Sequence, residues 1–139
     1  MPKDEALYRI VSEWVRKAEN DLISAKHLLT LRENQPTDSI CFHAQQCAEK
    51  YLKALLTFQG IDFARTHDIA RLLGLIPEGI AIELSDEKQA LLTDYATTGR
   101  YPGAYETIDP DEAQEAVHDA EGVRKAVRDL LPPDSLKPY

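Results

Sequence analysis

The chain has 139 residues, 43% hydrophobic and 29% charged, enough for one domain (core about 4–131, tail 132–139) to bury its own core. Its 16 basic side chains face 24 acidic ones, a net charge of −8, which argues against bulk DNA binding but leaves local basic patches effective. No apolar run could span a bilayer and "MPKDEALYRI" lacks a charged-then-apolar leader, so a cytoplasmic protein without membrane contact is expected.

The first predicted helix runs from about Asp4 to Glu33. Leu7, Val11, Trp14, Ala18, Leu22, Ala25 and Leu29 recur every three or four residues as one apolar stripe. "NQPTDS" breaks it and offers caps for the next helix, about Ser39 to Gln59. There Ile40, Ala44, Cys47, Tyr51, Leu55 and Phe58 form the buried stripe, and Gly60 is the residue expected just past a helix end. Two long helices with a short connection predict an antiparallel hairpin.

A third helix is expected over about Asp68 to Leu75, capped by Thr66 or Asp68. "GLIPEGIAIEL" reads as a loop over the end of the bundle, and Ser85 as the cap of a fourth helix, "DEKQALLTDYATT". "GRYPGAYETIDP" is a long irregular connection. The fifth helix has the clearest start: Asp109 as cap, Pro110 at the first position and Glu112 as capping-box partner. Ala113, Ala116, Ala120, Val123, Val127 and Leu130 make its small-residue stripe, and "PPDSLKPY" reads as a stop and a frayed tail.

Polar residues on the second helix are ordered. His43, Gln46, Lys50 and Lys53 follow spacings of three, four and three, on a face about a quarter turn from the apolar stripe. Imidazole, amide and two ammonium groups there could hold a phosphate or a base edge. The plainer alternative is a solvated edge with Glu49 and Lys53 as an i,i+4 pair. His67, in "RTHD", reads as part of a local cap with Asp68, and His27 and His118 as surface residues. Cys41 and Cys47 are six apart, on different helical faces, so they cannot pair within the helix and read as small buried residues. No HExxH, histidine pair, P-loop or GxGxxG is present, so neither a metal nor a cofactor is expected. In "GRYPGAY", Arg100 with Tyr101 and Tyr105 offers a guanidinium and rings suited to a nucleotide, or else a cover for the bundle end.

Together, "WVRKAENDLISAKHLL", "CFHAQQCAEKYLKALLTFQGIDFARTHDIARLL" and "RYPG" resemble the HEPN domain (higher eukaryotes and prokaryotes nucleotide-binding) from about Leu7 to Leu131. The resemblance implies an all-α, up-and-down bundle of four to five helices, related to the helical domain of nucleotidyltransferases and usually paired as a homodimer. It also implies a minimal nucleotidyltransferase as partner, in a two-component, toxin–antitoxin-like system. Many members are metal-independent RNases with an Arg followed by a His five to seven positions on. Here Arg100 is followed at that spacing by Tyr105, Glu106 and Thr107, and a Tyr of ordinary pKa is a poor base at neutral pH. The resemblance therefore favours binding over cleavage: a nucleotide- or partner-binding module using His43, Gln46, Lys50, Lys53, His67, Arg100, Tyr101 and Tyr105, with a nucleotide or RNA as the ligand it suggests. Two alternatives follow: an RNase toxin working through His43 or His67, and a purely structural dimerisation module. The partner could also modify Tyr101 or Tyr105 with an adenylyl group.

Overall fold

The computed structural model describes residues 2–97 and 107–137, with side chains from Asp4 onward. Arg100, Tyr101 and Tyr105 lie outside the described residues. Five α-helices follow one another: α1 Pro2–Leu29, α2 Thr37–Phe58, α3 Ile69–Gly74, α4 Asp86–Ala96 and α5 Pro110–Leu130. A short 3-10 turn, Pro133–Leu136, closes the described chain, and no strand occurs among the described residues. The helices expected from the apolar periodicity, and the all-α bundle that the family resemblance implies, are both observed.

α2 is the central helix. It packs most extensively on α1, then on α5 and α4. A helix walled in on several sides must be apolar around most of its circumference. Accordingly Ile40, Cys41, Ala44, Cys47, Ala48, Tyr51, Leu52, Ala54, Leu55 and Leu56 are all fully buried, well beyond a single stripe. The small residues let α1 and α5 approach closely: Ala18 and Ala25 from α1, Ala113, Ala116 and Ala120 from α5, all buried. On α1 the buried line is Val11, Val15, Ala18, Leu22 and Ala25; Leu7, Trp14 and Leu29 are only partly buried at its border. No helix among the described residues is long and apolar enough to cross a membrane.

The helix ends show how local chemistry sets the frame. α1 stops at Leu29, one turn short of the expected Glu33. The Gln35 amide donates to the carbonyls of Leu29 (3.0 Å) and Leu31 (2.7 Å), and Asn34 takes a left-handed φ of 55° that closes the turn. α2 starts at Thr37, with Pro36 before it supplying no side-chain cap; the Thr37 hydroxyl instead donates to the Ile108 carbonyl at 2.7 Å, tying α2 to the entry of α5. At the other end Gly60, at φ 71°, makes the left-handed stop. Ile61 N–H reaches the Leu56 carbonyl (2.9 Å) and Gly60 N–H that of Thr57 (3.1 Å).

Asp68, Ser85 and Asp109 cap α3, α4 and α5 as expected, accepting from the backbone N–H of Arg71, Lys88 and Glu112. Three expectations need correcting. Glu112 does not complete a capping box, because its carboxylate accepts from the Tyr95 hydroxyl of α4 at 2.5 Å. Leu130 is 40% exposed and Leu131 takes its place in the core at 5%, since the chain turns extended at Leu131. The tail is docked rather than frayed: Ser135 is fully buried and the Ser12 hydroxyl donates to the Lys137 carbonyl at 2.5 Å.

Candidate functional site on the α1–α2 face

The polar row of α2 lies along the seam with α1, and two carboxylates organise it. Asp21 on α1 accepts from His43 Nδ1 at 2.9 Å through one oxygen and from Lys50 Nζ at 2.6 Å through the other. Glu49, on α2 itself, takes Lys53 Nζ at 2.9 Å on Oε2. Its Oε1 accepts from His67 Nδ1 at 2.8 Å and Gln45 Nε2 at 3.0 Å. Gln46 lies between these centres, donating to Gln45 Oε1 at 2.7 Å. The structure thus gathers these residues into two clusters: His43 and Lys50 on Asp21, and Gln46, Lys53 and His67 around Glu49 and Gln45.

Burial separates their roles. Glu49 is 3% exposed and Lys53 8%, so this pair is not the solvated i,i+4 edge that its spacing suggested. The Lys53 ammonium sits 5.6 Å from the Trp14 ring centroid and 5.8 Å from that of Phe63, closed in by aromatic rings. Lys53 therefore cannot reach an incoming ligand and acts as an internal pin. His43, Gln46, Lys50 and His67 keep solvent access, with the His67 side chain 55% exposed.

Electrostatics define the ligands this face suits. Burial alone would raise the Glu49 carboxyl, but the hydrogen bonds of Lys53, Gln45 and His67 outweigh it, so its pKa falls below the usual value and the group stays ionised. Lys50 is balanced by Asp21 and Lys53 by Glu49, so the row carries little net positive charge. It works instead through directional groups. With Nδ1 committed to a carboxylate, each imidazole keeps Nε2 as its outward edge, and Gln46 adds an amide oxygen.

His67 also corrects the sequence reading. It does not pair with Asp68, whose carboxylate accepts the Arg71 N–H; the Gln45 amide holds the His67 carbonyl at 3.1 Å and Glu49 holds its ring. Asp21 and Gln45 were missed altogether. Asp21 stands 22 residues before His43, and only the antiparallel packing of α1 on α2 brings the two together. The one available signal was its place on α1 a further turn along from Trp14 and Lys17.

A second network clamps the other side of α2. Glu19 accepts from the Tyr51 hydroxyl at 2.6 Å and from Arg124 at 2.8 and 3.0 Å, while Arg128 donates to the Tyr51 oxygen at 3.2 Å. Burial and the Glu19 carboxylate push the Tyr51 hydroxyl up, which fits a structural lock and not an acid–base group. The thiols are equally unsuited to nucleophilic work: both are fully buried, and burial pushes Cys41 up to about 12. Among the described residues no group of His, Cys, Asp and Glu could hold a metal ion, and His27 and His118 are exposed.

Known proteins share this architecture. A family model for the HEPN domain matches residues 11–130. "Putative toxin MJ1304" of Methanocaldococcus jannaschii is 32% identical, over 85% of this chain and 86% of that protein. Among solved structures, TT1696 from Thermus thermophilus aligns with a TM-score of 0.73 at 29% identity, covering 88% of this chain and 99% of that one. ST0689, an archaeal HEPN homologue, aligns with a TM-score of 0.64 at 29% identity, covering 86% and 96%. With α1 through α5 inside the matched span or at its edges, this chain belongs to the HEPN family.

Proposed function

We propose that this HEPN protein is a nucleotide-binding module of a toxin-like two-component system, with the α2 face as its ligand surface. The observation that carries the reading is the pair of carboxylates, Asp21 orienting His43 and Glu49 orienting His67, with Gln46 bonded to Gln45 in the Glu49 cluster. Fixed imidazole edges and an amide favour a base edge or ribose hydroxyl, because pre-oriented donors and acceptors lose little entropy on binding. A minimal nucleotidyltransferase is the partner the family resemblance supplies, and the name of the Methanocaldococcus relative supports the toxin-like setting. A homodimer is the assembly it supplies, and Arg100, Tyr101 and Tyr105 belong to the proposed surface by sequence alone. In a calorimetric titration with mononucleotides, His43→Ala and Gln46→Ala should each weaken binding about tenfold, the loss of one hydrogen bond to a well-placed group. Unchanged affinity in both variants would dismiss the α2 face as the ligand surface.

A second reading, RNA cleavage, draws on the same observation. Two imidazoles, each with Nδ1 anchored on a carboxylate, have the form of an acid–base pair able to work on a ribose 2′-hydroxyl without metal. The assay is direct: purified protein with labelled RNA and chelator, wild type beside His43→Ala and His67→Ala. RNA left intact by the wild-type protein removes this reading and leaves the binding reading standing.

A further inference from the structure

Away from the polar row, the outer side of α5 bounds two hollows that meet. The larger, about 640 Å³, lies between α5 and the loop ahead of α4, from Gly79 to Glu83. The smaller, about 240 Å³, lies between α5 and α4. Lys88 and Asp119 line both, so the two form one trough along α5 from Glu112 to Leu130, about 27 Å at ~1.5 Å per residue. A trough of that length suits a segment of chain better than a compact small molecule.

Its floor is apolar and its rim is acidic. Leu92, Tyr95 and Ala116 are buried beneath the α4 half, with Leu91 at its edge 42% exposed; Leu130, 40% exposed, marks the far end. Gly122 lies in the floor between them, and no described atom beyond its own helix backbone stands within 4 Å of the place a Cβ there would take. Glycine weakens a helix interior, and no contact among the described residues calls for one here; the open space above it admits a close backbone. Glu83, Glu87, Glu112, Glu115, Asp119 and Asp129 line the trough against Lys88 and Lys125, a net of four negative charges. Lys125 is paired with Asp129, and Lys88 spans the trough to Glu115 at 2.7 Å and Asp119 at 2.8 Å. Lys88 thus shows the trough seating a lysine ammonium of its own chain. Glu83 and Glu87 have no ion-pair partner among the described residues.

We infer that this trough is a docking surface for a basic amphipathic segment of a partner protein: apolar side chains of the segment enter beside Leu91 and over Gly122, and its lysines or arginines meet Glu83, Glu87 and Glu112. The inference concerns a different face from the nucleotide reading and stands without it. Charge selects the occupant. A nucleic acid or an anionic membrane would set phosphates against this acidic rim, and a second copy pairing through the same face would set acid against acid.

The probe is an amphipathic helical peptide of leucine and lysine, about 18 residues long to match the trough, labelled for fluorescence anisotropy. Beside it stands the same peptide with glutamate for lysine. The lysine peptide should bind, the glutamate peptide should not, and binding should weaken as salt rises. Leu91→Ser and the pair Glu83→Lys/Glu87→Lys change exposed side chains and should each weaken binding roughly tenfold. The pair Glu5→Lys/Glu13→Lys on α1 changes the net charge equally and should leave binding within about twofold. Equal weakening by both pairs would reduce the effect to bulk charge and overturn the inference. Equal binding of the glutamate peptide, or no binding of the lysine peptide at millimolar concentration, would overturn it too. A dimer in sedimentation that Leu91→Ser converts to monomer would assign the face to a second copy, against the inference.

Discussion

Replacing Glu49 by leucine tests the most buried part of the candidate site. Glu49 is 3% exposed and satisfies Lys53, Gln45 and His67 together. Removing it strands the Lys53 ammonium, whose side chain is 10% exposed, with only the Trp14 and Phe63 rings for company. Breaking a buried ion pair from one side costs about 3–5 kcal/mol, and ring contacts offset about 1 kcal/mol of that, so ~3 kcal/mol is expected for Glu49→Leu. Lys53→Met should cost less, about 2 kcal/mol, because Gln45 and His67 still donate to the carboxylate. The double variant leaves no buried charge, so its cost should be about 2 kcal/mol, well below the ~5 kcal/mol sum of the singles. Urea unfolding followed by Trp14 emission measures all three, and the Glu49→Leu midpoint should fall by roughly 10 °C on heating. Strictly additive single variants, with coupling under about 0.5 kcal/mol, would refute the reasoning, because the pair would then act as two independent surface charges.

Three further outcomes are expected. Tyr51→Phe removes the donor to Glu19 and the acceptor for Arg128, and should cost about 1–2 kcal/mol in the same urea assay. Glu19 and Glu49 both have lowered pKa values: in each case burial opposes the shift and is outweighed, at Glu19 by the hydrogen bonds of Arg124 and Tyr51. A carboxyl depressed in the folded state stabilises fully above its unfolded value of about 4.3 and loses that contribution as pH falls through the folded value. Unfolding midpoints should therefore hold steady above roughly pH 5 and drop below pH 4, and the drop should shrink in Glu49→Leu/Lys53→Met. Cys41 and Cys47 should resist a thiol reagent in the native protein and react only on unfolding, since both are fully buried and burial raises both thiols.

The periodic parts of this molecule were legible in its sequence. Apolar spacing located four long helices and a short one, and the caps Asp68, Ser85 and Asp109 marked their starts, because each rests on residues within one turn of each other. The row His43, Gln46, Lys50 and Lys53 was legible too, as a helical face. Its meaning was not. The partner Asp21 comes from another helix, and the burial of Lys53 depends on Trp14 and Phe63, neither near it in sequence. The same limit explains the ends: Leu131 replaces Leu130 in the core, and Ser12 holds the tail, through packing that no local pattern encodes.

The central claim, that the seam of α1 and α2 is the ligand surface, is tested most directly by mapping backbone amide shifts while adenosine monophosphate is titrated into labelled protein. The account predicts that the largest shifts gather at Trp14 to Asp21, His43 to Lys50 and His67, and saturate together. Shifts confined to the opposite side of the bundle, at α4 and the outer face of α5, or no shifts at millimolar nucleotide, would contradict it.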